Sequence, residues 1–413
     1  MVLQFVNLII TNRMLGAEGR GLFASASTWA LGFFTFFFLS INIIYLKKIA
    51  DQKLDRAILK NGFFTLSVFM ALISLLVGLL FYVCLDSNFF RLPFMLFILN
   101  MLVVPFMMIQ ALSLSVFLSA NDYKKLNITS IINWAINLLL VVALCFLIEF
   151  NPTTLSAITL ISWACCGVYC FFACDFSFSL AALKEITKVN FWKELAFLHI
   201  NSIMTYLMFS LNILIIHRYI NNESTGQYFL AASIINYLFI IPGSIQSVLM
   251  GSLIEQTEQG KAKLTATFFK GTVLLMLLIV TGVFIFSKQI VEVLGGNTFL
   301  SSGRYIELLL PACIFQVAGF IWSSLWNIKG YFKLITKVSI VIVLLSVALD
   351  FILIPAIGVM GAIISSTVTC FLAMCVHLWL AIKEFRKVGL SIRELLPRKT
   401  DFYTFRNYIK KLY

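Results

Sequence analysis

Polar and charged side chains set inside long apolar runs are where this sequence offers chemistry. Lys270 falls about six residues past Leu264 in the run 264–286, about 9 Å deep if the run is helical. It either binds an anionic group such as a phosphate or lets its stem snorkel back to the headgroups. Arg13 and Arg218 stand at run ends, each followed five residues later by a glutamate, Glu18 or Glu223. A guanidinium fork suits phosphate and carboxylate alike, so anion binding and a loop-pinning salt bridge both stay open. Asn201, Thr205 and Asn212 recur at i, i+4, i+11, and Gln4, Asn7 and Thr11 at i, i+3, i+7. Each set makes one helical face. Such a face lines a wet cavity or glues neighbouring helices by hydrogen bonds. Asn42, Asn133, Asn137 and Asn236 are weaker versions of the same signal. Asp350, Glu149 and Asp175 lie near the ends of their runs, where a carboxylate can couple to protons or sodium.

Other chemistry is missing from the pattern. His199, His217 and His377 show no metal-ligand spacing, so no metal is expected. Cys166, Cys170 and Cys174 share a helical face without a histidine or carboxylate before Asp175, and all nine cysteines sit within or at the end of apolar runs. They read as small packing residues. No nucleophile–base pair, phosphate-cradling glycine loop or nucleotide motif is visible. The expectation is a protein without catalytic residues or cofactor, for which any ATP-driven step would need a separate subunit.

The elements that must position these residues follow from composition. The 413 residues are 61% hydrophobic and only 12% charged, with mean hydropathy +0.98. Soluble domains sit near 45–50% apolar and 25% charged. Runs such as 22–46 are apolar on every face, which excludes an alternating outer-membrane barrel and a large soluble domain. Apolar runs near 1–12, 22–46, 61–85, 93–119, 128–150, 155–183, 195–217, 227–253, 264–286, 304–327, 334–354 and 358–382 predict an all-α polytopic membrane protein of about twelve spans. Pro105 and Pro242-Gly243 are candidate bending points. The first run would rise only about 18 Å against a bilayer core of about 30 Å. It implies a natural start about ten residues upstream or a stunted helix packed against its neighbours, the former being the preferred reading.

The formal charge of +13 is distributed as topology. With the N-terminus cytoplasmic, the inward loops carry fifteen Lys and Arg and the outward loops six, which places both termini in the cytoplasm. The basic residues therefore face lipid headgroups and are not a nucleic-acid footprint. No cleavable secretion signal is visible.

The chain also matches itself. A shift of 205 lays Arg13, Glu18, Gly21, Phe23 and Ala26 on Arg218, Glu223, Gly226, Tyr228 and Ala231, and Asn7 on Asn212. A shift of 208 lays Tyr123, Lys125 and Leu126 on Tyr331, Lys333 and Leu334. Six spans per half is even, so the halves are parallel repeats. The organisation read from this is an N-lobe at 1–183 with a truncated first helix, a cytoplasmic linker at 184–194, a C-lobe at 195–382 and a basic cytoplasmic tail at 383–413.

The stretch Asn12-Arg-Met-Leu-Gly-Ala-Glu-Gly-Arg-Gly-Leu-Phe-Ala24 resembles the first-to-second-helix signature of polysaccharide flippases. Ile354-Pro-Ala-Ile-Gly-Val-Met-Gly-Ala362 resembles their eleventh-to-twelfth-helix turn. The resemblance covers essentially the whole chain. It points to Wzx-type O-antigen or capsular repeat-unit flippases of the multidrug/oligosaccharidyl-lipid/polysaccharide exporter superfamily. It implies two six-helix lobes around a central cavity in the bacterial inner membrane, and translocation of an undecaprenyl-diphosphate-linked oligosaccharide to the periplasmic leaflet. Such a protein would serve lipopolysaccharide or capsule synthesis beside a polysaccharide polymerase and a chain-length regulator. The short first helix departs from the family pattern.

A lipid-linked oligosaccharide keeps its tail in lipid, but its headgroup needs a hydrated path with cations for phosphates and amides or aromatics for sugars. Under that resemblance Arg13, Arg218 and Lys270 are the phosphate candidates. Asn7, Asn201, Thr205 and Asn212 are the sugar candidates, and Asp350 and Glu149 the ion-coupling ones. Two rivals remain. An ion-coupled multidrug antiporter of the same superfamily is expected to carry a carboxylate deep in a lobe. A membrane polymerase or ligase is expected to show a large periplasmic loop, and the longest outward loop, 287–303, is short for that.

Overall fold

In bilayer hydrocarbon a backbone has no water to bond to, so an apolar chain closes its hydrogen bonds within helices. A computed structural model of the chain describes residues 2–51, 54–85, 91–145, 147, 149–188, 191–254 and 256–391, apart from the side chains of 193, 194, 197, 198 and 332. The described residues form helices long and apolar enough to cross a membrane. The first of these stretches, Val2–Phe38, is broken at Gly16 (φ 63, ψ −179). Arg20 reaches back to Thr11 across this break, a contact a straight helix would stretch to about 13 Å of axial rise. Gly16 therefore separates α1 (2–15) from α2 (17–38), which continues as Ile41–Asp51 past Leu39 and Ser40, both with φ 54. The remaining spans are α3 (Arg56–Cys84), α4 (Phe94–Met101 with Val104–Ser119), α5 (Tyr123–Leu144), α6 (Pro152–Cys174), α7 (Phe191–Tyr219), α8 (Asn222–Leu253), α9 (Glu258–Ile285), α10 (Leu300–Ile328), α11 (Phe332–Ile357) and α12 (Val359–Lys387). The chain is a multi-pass α-helical membrane protein, as expected.

Local chemistry sets several ends. Asp55, Asn151 and Thr257 cap α3, α6 and α9 with side-chain oxygens on free amides. Asp122 does the same for α5. The Lys125 amide that its carboxylate accepts, helped by the nearby lysine charges, holds that carboxyl below its usual range. Pro105 opens the second piece of α4, where the expected bend is a true break, whereas Pro242 lies inside an unbroken α8.

The duplication is visible in how helices stop. At the end of α4 the Asp122 amide bonds back to Phe117 O at 2.9 Å over Asn121 (φ 56). At the end of α10 the Tyr331 amide bonds to Trp326 O at 2.9 Å over Gly330 (φ 72). Likewise Phe176 bonds to Phe171 over Asp175 after α6, and Leu390 to Phe385 over Gly389 after α12. These are left-handed helix stops with a six-to-one bond. Each pair joins helices six apart in order, which is what a six-helix repeat requires.

The chain packs as two units, 1–226 and 227–413. Helix α7 packs into the first of these: Tyr206 donates to Thr28 O at 3.1 Å and Ser202 meets Ser40 at 2.7 Å. The first unit has an aromatic core, with Phe64 stacked on Phe176 at 4.7 Å and Tyr45, Phe63, Phe97 and Phe191 buried. In the second unit small residues Ala262, Ala266 and Ala318 let α9 and α10 approach around the stacked Trp322 and Trp326. The tail beyond 391 lies outside the described residues.

Within the first unit the two copies of the repeated glycine motif touch. A Cβ on Gly21 would lie 1.8 Å from the Asn222 carbonyl oxygen, and one on Gly226 would lie 1.9 Å from that of Ala17. Ala17 and Asn222, like Gly21 and Gly226, are partners under the shift of 205. The crossing is reciprocal, each glycine admitting the other copy's backbone.

Candidate functional site

The polar face of α1 points into the first unit. Asn7, Thr11 and Asn12 are buried. Asn7 Nδ2 donates to Asn137 Oδ1 on α5 at 2.6 Å, and Asn137 Nδ2 donates to Ser162 Oγ on α6 at 3.1 Å. Thr11 Oγ1 donates to the Asn7 carbonyl at 2.8 Å and accepts from Arg20 Nη1 at 3.4 Å. The Arg20 guanidinium lies 5.2 Å from the Phe23 ring centroid, and the residue is 8% exposed. The buried Arg20 cation thus bonds Thr11 at the edge of an amide and hydroxyl network that ties α1, α5 and α6 together. Arginine stays protonated in proteins, so the charge is permanent. Such a centre suits an anion flanked by hydroxyl groups.

Arg20 has no place among the cations singled out from sequence, which counted it with the outward loops. Hydropathy alone cannot place it, because it follows Gly19 and precedes Gly21. The available signal was the glycine on each side, which brings the backbones together and buries what lies between. Thr11 belonged to the stripe with Gln4 and Asn7, Asn137 to the weaker versions of that signal, and Ser162 gave no signal.

The expected residues fall in several places. Asn7 is in the network just described. Arg13 is exposed, Arg218 is half-buried at the end of α7, and Lys270 is half-buried on α9. On α7, Asn201 and Thr205 are exposed, with Thr205 donating to the Asn201 carbonyl at 3.0 Å, while Asn212 is buried. Of this set Asn7 joins Arg20 by a hydrogen-bonded chain through Thr11. Glu149 is exposed after α5. Asp350 differs from its expected end-of-helix setting: it is 2% exposed in the second unit, and its Oδ1 has no hydrogen-bond partner. Ser346 on its own helix and Ser365 on α12 are linked nearby, Ser365 Oγ donating to the Ser346 carbonyl at 3.2 Å.

Cys166, Cys170 and Cys174 are buried thiols, Cys166 accepting from Gln110 at 3.2 Å. Among the described residues no three His, Cys, Asp or Glu side chains are grouped to hold a metal ion. The second unit carries a different charged centre where α9 begins and α10 and α12 end. Lys329, with its side chain 6% exposed, meets Glu258 at 2.6 Å and also bonds Glu384, 5% exposed. Burial alone would lower the Lys329 pKa, but the two carboxylates outweigh it and hold the value above the ordinary lysine range.

No family model and no curated protein sequence matches this chain. Solved structures do. An inward-facing multidrug resistance MATE family transporter of the MOP superfamily superposes with TM-score 0.73 at 13% identity, covering 94% of this chain and 95% of its own. The lipid II flippase MurJ in an inward closed conformation gives TM-score 0.73 at 12% identity, covering 99% and 93%. A MOP superfamily transporter from Pyrococcus furiosus gives 0.57 at 14% identity, covering 95% and 94%. Over nearly its whole length the chain therefore has the fold of the MOP superfamily transporters.

Proposed function

We propose that this protein is a flippase that carries an undecaprenyl-diphosphate-linked oligosaccharide, an O-antigen or capsule repeat unit, from the cytoplasmic to the periplasmic leaflet of the bacterial inner membrane by alternating access. The observation that carries this reading is the buried Arg20, a permanent cation that bonds Thr11 beside the Asn7–Asn137 amide pair. A diphosphate with attached sugars needs that combination, and a hydrophobic drug cation does not. The shared fold with a lipid II flippase supports a lipid-linked cargo. The fifteen-to-six loop charge ratio supports cytoplasmic termini. Arg218 and Lys270 are proposed as further phosphate contacts, Asn201, Thr205 and Asn212 as sugar contacts, and a polymerase and chain-length regulator as partners.

One observation favours the multidrug antiporter as a second reading, namely the buried Asp350, since a carboxylate at depth is what ion-coupled efflux uses. The two separate in cells. Arg20→Gln, Arg218→Ala and Lys270→Ala should each lower surface polysaccharide with protein abundance unchanged. Normal surface glycan in all three, with drug efflux lost in Asp350→Asn, would replace the flippase by the antiporter.

A further inference from the structure

The Arg20 centre accounts for a diphosphate but offers the glycan little aromatic surface. A second cluster, wholly inside the second unit, has that chemistry. On α8 the residues Asn236, Ser244, Ser247 and Gly251 are exposed at helical spacing, although they lie within a span. Ile240 shares this face and the Ser244 and Ser247 hydroxyls bond back to the Ile240 and Gly243 carbonyls at 2.8 and 3.2 Å, so Asn236 is the group on it that most calls for water or polar cargo. Beside it, Phe239 of α8 and Phe320 of α10 hold their rings 6.0 Å apart at 49°. Gln246 Nε2 donates to Ser323 Oγ at 2.9 Å, about two turns further along α8 and one along α10. Gln316 Oε1 on α10 is buried and has no hydrogen-bond partner.

Two glycines leave room there. A Cβ on Gly243 would meet only Phe320, at 3.8 Å, and the nearest atoms to one on Gly319 are those of the Gln316 side chain, at 3.5 Å or more. Aromatic rings, amides and a hydroxyl beside two glycines that would admit a Cβ match a pyranose. Its C–H face packs on a ring while its hydroxyls seek acceptors such as Gln316 Oε1 and the Gln246–Ser323 pair. An interhelical hydrogen bond alone would explain Gln246 and Ser323. It would not explain the orphan carbonyl or the glycines beside Phe320.

We propose that Phe239, Phe320, Gln246, Gln316 and Ser323 form a glycan-binding subsite that takes a sugar ring of the cargo, a role that rests on the flippase reading. The subsite sets preference for glycosylated over bare lipid diphosphate, whereas Arg20 sets affinity for both.

The test uses the full chain in lipid nanodiscs, with binding of two probes measured: undecaprenyl diphosphate, and undecaprenyl diphosphate carrying a single N-acetylhexosamine. Wild type should bind the glycosylated probe about tenfold more tightly, the worth of one or two good contacts. Phe320→Leu and Gln316→Met should bring the two affinities within about twofold by weakening only the glycosylated probe, and Phe320→Trp should restore the preference. Arg20→Gln should weaken both probes. A preference that persists in Phe320→Leu and Gln316→Met, or a wild type that binds both probes equally, overturns the subsite and leaves the flippase standing. A wild type that binds neither overturns the flippase reading itself.

Discussion

Arg20 shows what a single residue reveals and conceals. Its neighbours Asn7 and Thr11 were legible, because amides and hydroxyls at i, i+4 in an apolar run must share a face. Arg20 was not, since an arginine between glycines reads as loop until the chain is folded back on itself. Removing its charge should lower transport of a lipid-linked oligosaccharide on the order of tenfold to a hundredfold, the worth of charged hydrogen bonds. Arg20→Lys should recover part of that, as a point charge without the fork. Initial rates of headgroup translocation in proteoliposomes, normalised to protein, check both. Lys329 belongs to the same scale with a structural role. Lys329→Met leaves Glu384 buried and uncompensated and should cost about 3–5 kcal/mol, read as thermal unfolding in detergent. Because its pKa is raised, the stability from Lys329 is complete below the ordinary lysine value and is lost only as pH climbs through the raised value. Between about pH 6 and pH 9 the lysine should therefore add no pH dependence to the melting of wild type.

At the scale of elements, the count and class of helices came from hydropathy, since a span must be long, apolar and internally bonded. Their interruptions did not. Leu39 and Ser40 take positive φ within a run that reads as continuous, and the outward stretch 287–303 contains the helix Ser287–Leu294 and a short 3-10 turn. Both depend on packing that a one-dimensional pattern does not carry. The repeated glycines were legible as a motif, and the structure supplies their reason in the reciprocal crossing of Gly21 and Gly226. Gly21→Ala and Gly226→Ala both drive a methyl onto a backbone oxygen that cannot rotate away. Each should destabilise by about 1–3 kcal/mol and reduce abundance in the membrane. Gly251, with nothing within 4 Å of an added Cβ, is the matched control. Gly251→Ala should be neutral or slightly stabilising, as detergent melting of the three variants would show.

For the whole molecule, the fold of the MOP superfamily transporters was readable from twelve spans, an internal repeat and two short motifs. The packing of α7 against the first unit through Tyr206 and Ser202 was not, because it joins segments far apart in sequence. Candidate site residues were legible where a helical face repeats, as on α1. They were illegible where two spans must meet, as at Asn137 with Ser162 or Phe239 with Phe320. The account as a whole turns on whether the purified chain moves a sugar-diphosphate headgroup between leaflets. The direct measurement reconstitutes wild type and Arg20→Gln into vesicles holding fluorescent undecaprenyl-diphosphate-linked oligosaccharide, and follows its accessibility to a membrane-impermeant reagent. Wild type should expose the inner-leaflet pool over time while Arg20→Gln leaves most of it protected. Equal exposure by both, or none by wild type, would contradict the account.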